Sequence, residues 1–206
     1  MSHWFDPTLF GRVFVTLTVI MDPVGTVPIF LGLTSGRTSR ARGRLAWQAV
    51  VVAGFVISLF AVFGQQILDY LGITVPALQG SGGLLLLLVA LELLTGNDKP
   101  PEEVQDVNIA LVPLGTPLLA GPGAIVATIV FVRQAHGTAG YLAVAAGLLA
   151  VHGVLFLALR FSLVIQRVIR DSGVVLVTRI SGVLLSAIAV QLVADSVRAF
   201  ILAGRG

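Results

Sequence analysis

An all-α polytopic membrane protein is the fold class this sequence predicts, and three observations predict it. Of 206 residues, 56% are hydrophobic and 11% charged, with a mean hydropathy of +0.99, whereas a soluble domain is about half apolar and a quarter charged. The apolar residues gather in six runs near the length of about 20 that crosses a hydrocarbon core of about 30 Å. Runs such as "GGLLLLLVAL" (Gly82 to Leu91) and "YLAVAAGLLAV" (Tyr141 to Val151) are apolar all round, unlike barrel strands, in which lipid-facing residues alternate with polar ones.

The first expected span, Phe10 to Leu33, contains the punctuated stretch "MDPVGTVP". Proline removes a backbone donor and clashes with the preceding turn, and glycine costs about 1 kcal/mol relative to alanine in a helix, so a break is expected there. Uninterrupted spans follow at Leu45 to Leu68 and Val75 to Leu94. The fourth, Ile109 to Val132, carries "PLGTPLLAGPG" and repeats the break of the first. Ala139 to Leu159 and Val174 to Ala194 complete six. Little remains for a soluble module, so one transmembrane domain, 1–206, is expected.

The two halves match in their punctuation. "PVGT" at Pro23 to Thr26 answers "PLGT" at Pro113 to Thr116, and "SGGLL" from Ser81 answers "SGVLL" from Ser181. The expected repeats are about 8–96 and 108–203, joined by a polar loop at 97–107. Three spans per half make the second copy enter from the opposite face, the inverted repeat of many secondary transporters, whose substrate site lies between discontinuous helices near the midplane. Non-helical backbone at membrane depth is tolerated where it is buried or lines a cavity. The breaks therefore predict a substrate site formed by Asp22, Pro23, Gly25, Thr26, Pro28, Pro113, Gly115, Thr116, Pro117, Gly121, Pro122 and Gly123, with Ser81 and Ser181 packed beneath. Asp22 with Pro23, and Thr116 with Pro117, read as N-cap and N1 of second half-helices, whose free N–H groups suit an anionic group.

An ionisable residue at membrane depth is a functional candidate by default, which makes Asp22 the coupling candidate. Glu92 and Asp195 lie near span ends and are expected to meet headgroup water. His152 is expected to bond another helix, and Arg179 to snorkel. The arginines also set an orientation: Arg37, Arg40, Arg42, Arg44, Arg160, Arg167 and Arg170 fall in or beside the first and fifth loops, which by the positive-inside rule puts both termini outside. This placement at span ends speaks to topology and against a nucleic-acid partner, despite an isoelectric point of about 10.2. The opening "MSHWFDPTLF" has no basic stretch, so the first span is expected to be retained. Without cysteine, a G-x-S-x-G elbow or H-E-x-x-H, the residues point to no enzyme, cofactor or metal.

Four segments carry a family resemblance: "DPVGTVPIFLGLT" (Asp22 to Thr34), "LGITVPALQGSGGLLL" (Leu71 to Leu86), "NIALVPLGTPLLAGPGAI" (Asn108 to Ile125) and "RISGVLLSAIAVQ" (Arg179 to Gln191). Together they resemble the MarC family of bacterial inner-membrane proteins, six-helix relatives of the LysE-type amino-acid exporters. Pro23, Gly25, Pro113, Pro117, Gly121, Pro122 and Gly123 match the family's two motifs. What the resemblance implies is transport of small neutral amino acids such as glycine, alanine or threonine, as in members described as SnatA-like, in the bacterial inner membrane. Coupling to H⁺ or Na⁺, and homo-oligomers, are compatible with it. Asp22 stands where members commonly carry asparagine, which makes the first site more acidic. The readings set against transport of amino acids are export of drugs or other metabolites and a non-transporting scaffold.

Overall fold

The computed structural model describes residues 4–95 and 119–203, and the described residues form seven helices and no strand. Helix α1 (Pro7–Met21) starts where Asp6 accepts from the Leu9 N–H at 2.9 Å, with Pro7 in its first turn. The first turn's N–H groups have no partner inside the helix, so proline costs nothing there and a carboxylate cap satisfies one of the others. After four residues the chain resumes as α2 (Thr26–Leu33), bent 49° from α1. The expected break in the first span is therefore present. Pro28 does not cause it: it occupies the first turn of α2, where a helix lacks that hydrogen bond anyway.

Helix α3 (Ser39–Leu71) runs from a Thr38 cap to Gly72, whose φ of +66° ends it. It extends past the expected Leu45 to Leu68 at both ends because the cap and the left-handed glycine set the boundaries, not the apolar run. Helix α4 (Val75–Thr95) and helix α6 (Gly137–Arg160) fall almost where the apolar runs predict. Between them lies α5 (Pro122–Gln134), an apolar helix too short to span alone. The upstream part of the fourth expected span, with Pro113, Gly115, Thr116 and Pro117, lies outside the described residues, as does the connecting loop.

Helix α7 (Ser162–Ala203) corrects the expected fifth loop. Phe161 caps α6, and the helix restarts at once, so Arg167 sits on helix; the chain deviates only at Arg170 (φ 58°, ψ 168°). The apolar span proper is Ser172–Leu202. Four described helices are long and apolar enough to cross a membrane, and the bent α1–α2 pair makes a fifth.

The spans pack around two adjoining cores. One joins α1, α3, α5 and α6 through residues such as Val13, Leu17, Ile57, Ala127 and Leu155; the other joins α4 to α7 through Leu86, Ala90, Leu185 and Ala189. Between membrane helices lipid competes equally for apolar surface, so close van der Waals contact and small residues drive association. Gly147 on α6 admits Val13 of α1, which a Cβ would meet at 2.7 Å. Gly83 on α4 lies against α7, where a Cβ would come within 2.8 Å of the Ala189 carbonyl oxygen and of Val193. That backbone cannot yield as a side-chain tip can. Gly83→Val should therefore destabilise the α4/α7 pair by about 1–3 kcal/mol, read as a lowered thermal midpoint in detergent; an unchanged midpoint would refute this packing.

Candidate functional site at the broken first span

The break is organised by one aspartate. Asp22 ends α1: its N–H donates to the Thr18 carbonyl at 3.1 Å, and its backbone is left-handed (φ 35°, ψ 74°). Among residues with a Cβ, Asp and Asn tolerate this conformation best. Pro23 follows, and proline at that point cannot extend α1. The chain then turns back on Asp22. The Gly25 N–H donates to Asp22 Oδ1 at 3.1 Å, while the Asp22 carbonyl accepts from the Thr26 N–H at 3.0 Å and from Thr26 Oγ1 at 2.7 Å. Asp22 thus caps α1 at its C-terminus and does not begin the second half-helix, as its pairing with Pro23 suggests; Gly25 holds the N-cap of α2.

The carboxylate is deep. Asp22 is only 8% exposed, and Pro23 and Thr26 are buried with it. Helix α7 faces it with hydroxyls: Ser181 Oγ donates to Asp22 Oδ1 across a long 3.5 Å, and Thr178 Oγ1 lies 3.0 Å from where a Gly25 Cβ would stand. That same Cβ would fall on the Asp22 carboxylate. Gly25 has ordinary right-handed helical angles (φ −64°, ψ −27°), so the position needs glycine for space and not for conformation. On α1, one turn before Asp22, the buried Thr18 Oγ1 has no hydrogen-bond partner among the described residues. Other buried hydroxyls have backbone carbonyl partners, Thr34 at Phe30 and Thr128 at Ala124 on their own helices and Ser196 at Pro76 of α4, each at 2.7 Å. Thr18 is an exception, and an unused buried hydroxyl carries a cost that a ligand can relieve.

The structure sorts the remaining sequence candidates. Ser181 reaches the break; Ser81 does not, being exposed with its hydroxyl returned to Leu78 at 3.0 Å on its own helix. Its neighbours carry the packing, since α4 turns Gly82 and Gly83 inward. Pro28 is exposed and faces away. Gly121 caps α5 with extended backbone, Pro122 takes its first turn, and Gly123 is pressed so closely on Leu86 of α4 that no Cβ fits. Leu119, Ala120 and Ala124 around this start share one core with Leu17, Met21 and Phe30 around the first break. His152 bonds its own helix through Nδ1 and the Leu148 carbonyl at 2.7 Å, and bonds no other helix among the described residues. A carbonyl only accepts, so Nδ1 carries the proton. Glu92, Asp195 and Arg179 are exposed; Asp195 accepts from Gln191 at 2.9 Å. Thr178 and Thr18 were the residues missed, although Thr178 is three before Ser181 and Thr18 four before Asp22, spacings that share a helix face.

The model of the MarC family integral membrane proteins matches residues 8–201, nearly the whole chain. The chain belongs to the MarC family. Two relatives are each 34% identical: a UPF0056 membrane protein of Aquifex aeolicus over 92% of both chains, and UPF0056 membrane protein MJ1677 of Methanocaldococcus jannaschii over 96% of this chain and all of the relative. UPF0056 membrane protein YhcE of Escherichia coli is 28% identical over 96% of each. No solved structure matches. The MarC match includes both proline- and glycine-rich segments, and the relatives' names describe membrane proteins without a substrate.

Proposed function

We propose that this MarC protein is a secondary transporter of small neutral amino acids, of the glycine, alanine and threonine class, driven by an H⁺ or Na⁺ gradient across the bacterial inner membrane. The carrying observation is the α1–α2 break, where a buried carboxylate in left-handed backbone is faced by hydroxyls of another helix. Such a break is tolerated at membrane depth only where the opened backbone is buried in protein or lines a cavity, and a buried charge within it is a functional candidate by default. Asp22 suits an ammonium group or the coupling ion, and the hydroxyls of Thr178 and Ser181 suit either an ammonium or a carboxylate. The Asp22 carboxylate packs where a Gly25 Cβ would stand, with Thr178 Oγ1 beside it, so glycine lets the charge and the hydroxyls close tightly on one another, and a compact polar site of this kind suits a small zwitterion. The start of α5 at Gly121 and Pro122, whose neighbours Leu119, Ala120 and Ala124 share one core with the first break, supplies the opposing half of the site.

Uptake of radiolabelled glycine, alanine and threonine into proteoliposomes under imposed pH and Na⁺ gradients tests this reading. Saturable, gradient-driven uptake is the expected result. No uptake under any gradient, from folded and reconstituted protein, would overturn it in favour of export of drugs or other metabolites or a scaffold. Within the site, Thr178→Val keeps the volume and removes the hydroxyl, and should raise KM about 2- to 10-fold, the worth of one neutral hydrogen bond; an unchanged KM would exclude Thr178 from substrate contact.

A further inference from the structure

A second place in the fold brings together the two charges of a zwitterion. At the end of the molecule that carries the α3–α4 and α5–α6 turns, a cavity of about 530 Å³ is lined by Gln65 and Asp69 of α3, Thr74 and Pro76 before and within α4, and Arg133 of α5. Arg133 Nη1 donates to Gln65 Oε1 at 2.9 Å, and Gln65 Nε2 donates to Asp69 Oδ1 at 2.6 Å. The neutral amide thus stands between an arginine and an aspartate. Among the described residues neither charge has an ion-pair partner, and both side chains are exposed.

We propose that this cavity is a recruitment site for small zwitterions, separate from the site at Asp22. Arg133 takes the carboxylate with the donors Gln65 leaves unused, since a planar guanidinium fits a carboxylate with two parallel hydrogen bonds. Asp69 takes the ammonium group, and Gln65 keeps the protein's own charges from neutralising one another. The volume lies within the range of small-molecule sites, about 300–1,000 Å³. Arg133 also sits in the last turn of α5, where a cation meets the negative end of the helix. That explains an arginine there but not an aspartate held across the cavity by a bridging amide. A mere strut from α5 to α3 would hold the helices without binding a ligand. The proposal deepens the transport reading and names where substrate gathers before it reaches the break.

The test is saturation-transfer NMR of alanine with the full chain in lipid nanodiscs, in a Gly25→Ala background and in a Gly25→Leu background, each of which closes the deep site. Saturable alanine binding is expected in both, lost in Arg133→Gln and in Asp69→Asn at unchanged thermal midpoint, and not displaced by N-acetylalanine or alaninamide, which each lack one charge. No saturable binding in either background, or binding that survives both Arg133→Gln and Asp69→Asn, overturns the proposal. In proteoliposomes Arg133→Gln should raise KM roughly five-fold, the worth of one exposed ion pair, with kcat unchanged. Binding without uptake would defeat the transport reading and leave this site; uptake with neither binding nor a KM effect would defeat this site and leave the reading.

Discussion

Gly25→Leu should abolish amino-acid uptake while leaving a folded, membrane-inserted protein. The backbone at Gly25 is ordinary helix, so the substitution carries no conformational penalty. It acts through volume. A Cβ there falls on the Asp22 carboxylate, 2.8 Å from Cγ and 3.0 Å from Thr178 Oγ1, and three further carbons must displace Asp22 or push α7 away. Overpacking of this kind costs about 1–3 kcal/mol, which is less than the roughly 5–15 kcal/mol that holds a native protein together. Geometry at the break is lost before the fold is. Gly32 is the control, because it lies on the same helix with open space at its Cβ; Gly32→Leu should transport normally. Uptake by Gly25→Leu at the wild-type rate, from protein that elutes as a single species, would remove the break from the transport pathway.

The second large effect is expected from Asp22→Asn. The substitution keeps the size, the tolerance for left-handed backbone and the oxygen that accepts from Gly25, so α1 should still end where it does. It removes the charge. If a proton or Na⁺ rides on this carboxylate, gradient-driven uptake should fall about 10- to 100-fold, the worth of a hydrogen bond to a charged group, while gradient-free exchange of alanine across the membrane persists. Gradient-driven uptake that keeps its rate and its dependence on pH and Na⁺ would reduce Asp22 to a helix cap. Asp22→Ala separates the two roles, because alanine neither caps nor tolerates φ 35° well: it should lower stability as well as flux, read as a reduced thermal midpoint.

Composition and spacing made the architecture legible. Span length is dictated by membrane thickness, and proline and glycine act on their own backbone, so α4, α6 and the interruption of the first span appear where the residues demand. Boundaries were less legible. The extension of α3 to Ser39 depends on a Thr38 cap that accepts from Ala41, and Arg167 on helix depends on α7 restarting immediately after Phe161. Both segments are polar, and hydropathy locates the lipid-buried part of a helix, not the helix itself.

The candidate site divides the same way. Asp22, Gly25 and Thr26 announce themselves because the chemistry of a break is local: a charge, a missing side chain and a hydroxyl within five residues. Ser81 and Ser181 occupy matched motifs and look equivalent in sequence. Their fates differ because α4 buries its glycines against α5 and α7 and turns Ser81 out, whereas α7 turns Ser181 toward Asp22. The sequence by itself determined that this chain is helical, membrane-embedded and broken at Asp22 to Gly25, since each follows from residues close together in the chain. Which hydroxyls face that break, and that Gln65 bridges Asp69 to Arg133 across 68 residues, only the tertiary structure decided, because helix rotation is set by packing against neighbours and no local pattern encodes it.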